Sequence, residues 1–85
     1  MIASEHCLQR FRRRRRIGTP GFAALELELS RAFEEAEITA LTPAWVQSDR
    51  GTQLWALFED LAFPLAPAGG AGEWLALTCL VRERG

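Results

Sequence analysis

The chain has no lysine and no tyrosine, only one histidine, and two cysteines. Without lysine it cannot form the GxxxxGK[ST] loop that holds nucleotide phosphates. One histidine and two distant cysteines do not supply the paired ligands of a zinc motif. The sequence therefore predicts no metal site, and no pattern in it indicates a cofactor.

Long apolar runs are also missing. The runs present are a few residues long, far short of the ~20 that a membrane-spanning helix needs. The amino end lacks the basic-then-apolar order of a secretory signal. Cys7 and Cys79 are too few for a disulfide framework and lie among apolar neighbours, as buried free thiols do. We therefore expect a cytoplasmic protein that does not associate with a membrane.

The composition is that of one small domain spanning residues 1–85, because 48% of the 85 residues are hydrophobic. The net charge of −1 hides an asymmetry: residues 1–20 carry six arginines against one acid, whereas residues 21–85 carry four arginines against ten acids. Such a basic segment attracts phosphate, or it clamps an acidic surface of the same chain. All ten basic residues are arginine, which suits bidentate phosphate contacts and is equally expected from a GC-rich genome.

A first helix is predicted after Ser4, which can cap it. At about 100° per residue, three charged side chains recur on one side of this helix. They are His6, Arg10 and Arg13. The apolar sector on roughly the opposite side contains Cys7, Leu8 and Phe11. This amphipathic pattern predicts a helix that buries one side and exposes a row of cations on the other.

A second helix is predicted from about Pro20 to Glu35, after a break at Gly18. Its apolar residues recur at the spacing of a buried stripe. They are Phe22, Leu25, Leu29, Ala32, Phe33 and Ala36. The other face is mostly glutamate, which we interpret as solvated surface.

From Ile38 the apolar period changes from that of a helix to that of a strand. Four strand segments are predicted, at 38–48, 53–59, 61–67 and 73–83. Pro43 and Pro64 each indicate an edge strand or a bulge, because proline cannot donate to a ladder. The sequence therefore predicts an α+β fold, in which two N-terminal helices pack on one face of an antiparallel meander of about four strands.

His6 and the arginines form a candidate site for RNA. An imidazole can transfer a proton near neutral pH, and guanidinium groups can hold a phosphodiester while charge develops on it. These residue types are sufficient for metal-independent RNA cleavage. The candidate catalytic residues are His6, Arg10 and Arg82. The candidate nucleic-acid-binding residues are Arg12, Arg13, Arg14, Arg15, Arg16 and Arg84.

Other interpretations of the same residues stay open. His6 can simply pad the first helix, and the arginines can be solvated or can pair with the acidic helix. Trp45, Trp55 and Trp74 lie on three predicted strands, where they form core or, on an open sheet face, stack bases or anchor a protein partner; we favour core or a homomeric interface. The alternative function is a non-enzymatic interaction module, either a homodimer or an inhibitor, that uses the sheet face or the basic helix.

The opening HCLQRFRRR, a second helix and a meander ending in LTCLVR resemble small RelE-like domains of bacteria and phages. Many of these begin with a His-x-x-x-Arg-Phe helix, and the wider superfold includes the RelE, ParE and BrnT toxins. The resemblance spans nearly the whole chain and implies a helix-helix-sheet fold, with a site between the first helix and the sheet. It places His6, Arg10 and Arg82 at candidate positions, with Thr78 on the preceding strand.

The resemblance also implies partners. A toxin-type domain of this kind would bind RNA, and an antitoxin or a host enzyme would be its protein partner. RelE-type ribonucleases typically use Lys, Arg and Tyr, whereas this chain has neither Lys nor Tyr. ParE-like relatives act instead by binding gyrase.

Overall fold

The computed structural model describes residues 1–15, 22–46, 52–70 and 72–82. Its elements are β1 (Ile2–Ala3), α1 (Glu5–Arg15), α2 (Phe22–Glu35), β2 (Glu37–Thr39), β3 (Leu54–Phe58), β4 (Leu61–Pro67), β5 (Trp74–Ala76) and β6 (Leu80–Val81). The predicted α+β class is confirmed, with two helices followed by antiparallel strands. The predicted breaks at Gly18 and Pro20 fall outside the described residues.

The sheet has six strands rather than about four. Its order is β1-β5-β4-β3-β2, and β6 also pairs with β4. Strands β2 to β5 form the expected antiparallel meander. β1 runs parallel to β5, with Ile2 opposite Leu75, so the sheet is mixed. Two residues are too few to show an apolar period, and the sequence pattern therefore did not indicate this edge strand.

α1 begins at a capped turn, as the sequence predicts. The Ser4 hydroxyl accepts a hydrogen bond from the Cys7 backbone N–H at 3.0 Å and donates to the Leu77 carbonyl at 2.9 Å. The Ser4 backbone N–H donates to the Ala76 carbonyl at 3.0 Å. An N-cap of this kind contributes about 1 kcal/mol to stability. In this domain it also fixes the first turn of α1 against the end of β5.

The helices pack on one face of the sheet, which we call the helix face. Side chains alternate along a strand, and Leu61, Phe63 and Leu65 of β4 belong to the core that both helices cover. The apolar sector predicted for α1 is buried, and so are Leu25, Leu29 and Ala32 in the stripe predicted for α2. The predicted amphipathic helices are therefore confirmed where their side chains are described.

The opposite face of the sheet, which we call the second face, is also apolar. Trp55 of β3 lies opposite Pro64 of β4 on this face, and both residues are buried. The Trp55 indole N–H donates to the Thr42 hydroxyl at 3.3 Å, so the segment after β2 folds back to this strand. The prediction of a core tryptophan holds for Trp55, which is 1% exposed, whereas Trp74 is half-buried.

The first predicted strand, 38–48, is much shorter in the structure. Among its described residues, 38–46, only those of β2, Glu37–Thr39, are in a strand, and Trp45 lies in a turn; residues 47 and 48 fall outside the described part of the chain. The Leu41 backbone N–H donates to the Thr39 hydroxyl at 3.1 Å, and the Val46 N–H donates to the Pro43 carbonyl at 3.0 Å. These local bonds occupy donors that a longer strand would need for its ladder.

The last predicted strand, 73–83, is split into β5 and β6. Both halves pair with β4, and the three residues between them, 77–79, leave the ladder opposite Pro64. The Leu77 N–H still donates to the Pro64 carbonyl at 3.0 Å, but Pro64 has no N–H to return. Pro64 therefore marks a bulge, as expected, although β4 is a central strand and not an edge.

Candidate functional site

His6 lies in the first turn of α1, and its side chain is exposed. It lines a cavity of about 410 Å³, which we call the second-face cavity. The other lining residues are Thr52, Trp55, Pro64, Leu77, Thr78 and Leu80. The cavity thus brings His6, at the start of α1, together with Thr78, which precedes β6.

The cavity exists because the strand beside β4 is interrupted. Where residues 77–79 leave the ladder, Leu77 keeps one hydrogen bond to Pro64, and Leu77 and Thr78 become part of a wall of the cavity. The Ser4 cap attaches the start of α1 to the Leu77 carbonyl, and this attachment places His6 on the same wall. The hydrogen bond from Ser4 and the interruption of the strand opposite Pro64 therefore determine where the His6 imidazole lies.

The walls combine apolar surface with a few polar groups. Trp55, Pro64, Leu77 and Leu80 supply the apolar part, and the polar groups come from His6, Thr52 and Thr78. Leu77 is 42% exposed, so one wall of the cavity faces solvent. Apolar lining with a few convergent polar groups is the usual composition of a small-molecule site.

The arginines of α1 lie farther along the same helix. Arg10 is half-buried one turn after His6, and Arg12 and Arg13 are exposed. Within the described part of the chain, these three guanidinium groups make no ion pair with a carboxylate. The described residues therefore do not show the alternative in which these arginines form ion pairs with the acidic helix α2.

Arg82 lies two residues beyond Leu80, past the end of β6. Its backbone N–H donates to the Asp60 carbonyl at 2.7 Å, which continues the pairing of β6 with β4. Since alternate residues of a strand share a face, Arg82 falls on the same side of the sheet as Leu80, about 7 Å farther along. Arg82 is exposed and does not line the second-face cavity.

Several candidate residues lie outside what the structure describes. α1 extends to Arg15, but the side chains of Arg14 and Arg15 are not described. Arg16 and Arg84 fall in undescribed segments of the chain. The described cationic groups of the candidate site are therefore His6, Arg10, Arg12, Arg13 and Arg82.

Sequence reasoning missed the apolar half of the cavity. Trp55, Pro64 and Leu77 come from three separate parts of the chain, and only strand pairing brings them together. The one available signal was the proline inside an otherwise apolar strand, which indicates an irregularity in the sheet. Its partner strand could not be identified without the register.

Two smaller cavities contact α2. One, of about 250 Å³, separates α2 from β1, and the other, of about 230 Å³, lies beside the β3–β4 turn. The second is lined by Glu28, Glu35 and Glu59 together with Arg31. Among the residues that the structure describes, no cluster of His, Cys, Asp or Glu side chains could hold a metal ion.

Cys7 and Cys79 are free thiols that are both fully buried in the core. Burial and, to a smaller extent, the nearby Cys79 together raise the pKa of the Cys7 thiol from 9.0 to about 12. The thiolate is the reactive form of cysteine. Cys7 is therefore a protonated core residue at neutral pH and not a nucleophile of the site.

Neither described helix is long and apolar enough to cross a membrane. A scan with protein-family models found no match to the chain. Comparisons with curated proteins and with solved structures likewise found no similar protein.

Proposed function

We propose that this domain is a toxin-type RNA-binding domain, which contacts RNA through the cationic side of α1 and through Arg82. The observation that carries the proposal is that exposed arginines follow His6 along α1 and make no ion pair with a carboxylate among the described residues, while His6 itself lines the second-face cavity. Arg10 and Arg13 follow His6 at the predicted helical spacing, and Arg82 follows β6, whose Leu80 lines the cavity. The resemblance to RelE-like domains supports the same function.

The electrostatics favour a polyanion over a single phosphate. Exposed arginines on α1 create a local positive potential although the whole chain carries a net charge of −1. The acidic residues of α2, a helix that contacts α1, oppose this potential, and salt screens both sets of surface charges over about 8–10 Å at physiological ionic strength. A chain of phosphates can meet several guanidinium groups at once and release its counterions.

Salt dependence tests RNA binding. We expect the affinity for a single-stranded RNA of mixed sequence to fall linearly with the logarithm of salt concentration. Arg10→Gln and Arg13→Gln should each reduce the slope by about 0.7, because each removes one contact to a single-stranded backbone. The measurement is fluorescence anisotropy of labelled RNA between low and physiological salt.

The matched control is Arg31→Gln, which removes an exposed arginine from α2. Arg31 lines the glutamate-bearing cavity beside the β3–β4 turn and lies outside the proposed surface. Its replacement should leave the slope unchanged. If Arg10→Gln and Arg13→Gln behave like the control, the proposed surface is wrong.

Cleavage is a separate step that needs His6. An imidazole beside the bound phosphodiester can remove the proton of the 2′-hydroxyl, whose oxygen then attacks phosphorus and displaces the 5′-oxygen, which takes a proton from water and leaves as a 5′-hydroxyl. We expect wild-type protein with EDTA to produce fragments with 2′,3′-cyclic phosphate ends, detected by gel and mass spectrometry. His6→Gln should stop the reaction while RNA affinity persists. Equal cleavage by both proteins would indicate a contaminating nuclease and remove the catalytic role.

A second candidate function is a protein-interaction module. It is favoured by the second face of the sheet, where Leu57, Ala66 and Leu75 are only half-buried and Leu77 is 42% exposed. An apolar interface of this kind, in a homodimer or with another protein, depends little on salt. Partner binding that persists unchanged at high salt, in a domain with no affinity for RNA, would select this function.

A further inference from the structure

We propose that the second-face cavity accepts one nucleobase of the bound RNA. This inference rests on the proposed RNA binding and specifies its ligand more closely. The cavity would hold the base, and the arginines on either side would hold the neighbouring phosphates. The domain would then recognise unpaired bases and not only a charged backbone.

The size and shape of the cavity fit a flat ring. At about 410 Å³ it falls within the range of roughly 300–1,000 Å³ that is typical of small-molecule sites. Leu77 and Leu80 are the more accessible apolar residues of the lining, whereas Trp55 and Pro64 are buried in the sheet, and the indole is also held by its hydrogen bond to Thr42. Because these groups are fixed before a ligand arrives, little conformational freedom is lost when a ring enters.

The polar groups match the edge of a base. A base has two apolar faces and an edge of hydrogen-bond donors and acceptors. The hydroxyl of Thr78 both donates and accepts, and a neutral His6 imidazole also offers one donor and one acceptor. A purely hydrocarbon ligand would displace water from these groups without replacing its hydrogen bonds, which costs affinity.

The position of the cavity fits a ligand joined to a phosphate chain. His6 lines the cavity, and Arg10 lies about 6 Å farther along the same helix. Arg82 lies about 7 Å beyond the wall residue Leu80 on the strand side. A nucleotide whose base enters the cavity can therefore extend its flanking phosphates toward Arg10 on α1 and toward Arg82 after β6.

A comparison of two oligomers tests this inference. One is a labelled single-stranded RNA of mixed sequence, and the other is an abasic ribose-phosphate oligomer of equal length. Burial of roughly 40–120 Å² of apolar surface of a base contributes about 1–3 kcal/mol, so we expect the abasic oligomer to bind wild-type protein about 5- to 150-fold more weakly. Anisotropy titrations at one fixed salt concentration give both dissociation constants.

Leu77→Ser is the variant that probes the cavity. Leu77 lines it and is 42% exposed, so serine removes apolar wall at little cost to the core. Leu41→Ser is the matched control, because Leu41 is 79% exposed and does not line the cavity. We expect Leu77→Ser to weaken binding of the RNA at least about fivefold and to leave abasic binding unchanged. Leu41→Ser should alter neither.

Thr78→Val, which keeps the side-chain shape, gives a second probe should Leu77→Ser fail to fold.

The outcomes separate the two proposals. If wild-type protein binds neither oligomer, RNA binding itself is refuted and the base-binding cavity falls with it. If it binds both oligomers equally, RNA binding stands and the cavity has no role in it. Equal losses in Leu77→Ser and Leu41→Ser would also refute the cavity, as would a Thr78→Val variant that binds the RNA like the wild type.

Discussion

Replacement of Phe63 by alanine is expected to lower the free energy of unfolding by about 3–5 kcal/mol. Phe63 is fully buried in the central strand of the sheet. Its ring centroid lies 6.4 Å from that of Phe11 in α1, at an interplanar angle of 47°. It lies 5.0 Å from that of Phe33 in α2, at 81°, which is an edge-to-face contact. Alanine would leave a cavity where both helices meet the sheet.

Urea denaturation followed by circular dichroism measures this loss. A domain of this length has a total stability of roughly 4–13 kcal/mol, so the alanine variant would be largely unfolded at the lower end of this range. Phe63→Leu should lose less, because leucine fills part of the space. Leu41→Ala, at a site that is 79% exposed, should stay within about 0.5 kcal/mol of the wild type. A loss below about 1 kcal/mol in Phe63→Ala would contradict the described core.

Alkaline solution is expected to destabilise the domain through Cys7. The folded state holds the thiol proton more tightly than the unfolded chain, because burial and then Cys79 raise the pKa of Cys7 from 9.0 to about 12. The stabilising contribution is therefore complete below pH 9 and is lost as the pH rises from 9 toward 12. At 1.36 kcal/mol per pKa unit, the loss approaches about 4 kcal/mol.

The composition of the chain makes this measurement unusually clear. Lysine and tyrosine normally titrate between pH 9 and 12, and this sequence contains neither. Urea midpoints measured from pH 7 to 11 should therefore fall mainly because of the buried thiols. Cys7→Ala removes the titrating group and should show a flatter profile, although it is less stable at pH 7 because a small cavity replaces the sulfur. Parallel profiles for the two proteins would show that Cys7 is not the group responsible.

The helices were predictable because their information is local. Cys7, Leu8 and Phe11 repeat at helical spacing, and Ser4 stands at the position of a cap. The structure confirms the burial of all three apolar side chains and the Ser4 cap. A single turn of helix determines which side chains share a face, so no knowledge of distant contacts was needed.

The strands were less predictable because their limits depend on partners. Alternation in residues 38–48 favoured one strand, but hydrogen bonds at Thr39 and Pro43 turn the chain after three residues. Alternation in 73–83 favoured another, yet the ladder is broken at 77–79, where Pro64 lies opposite. Neither limit is encoded in the strand alone.

The candidate site divides in the same way. The spacing of His6, Arg10 and Arg13 along one helix was evident from the sequence, and Arg82 was a candidate from its residue type, whereas Thr78 was placed near the site only by a resemblance. The cavity that His6 lines was not evident, because Trp55, Pro64 and Leu77 meet only through strand register. Local periodicity thus indicated the charged part of the site, and pairing over long sequence separations created its apolar part.

Pro64 also fixes how the carboxyl-terminal strands align with β4. Sliding β5 and β6 by two residues would keep every side chain on its own face, so the hydrophobic pattern alone does not forbid it. The slide would bring a carbonyl opposite the proline nitrogen, which has no hydrogen to give, and an unsatisfied buried carbonyl costs about 1–3 kcal/mol. Pro64 therefore favours one register of β5 and β6 over others that the hydrophobic pattern would allow equally.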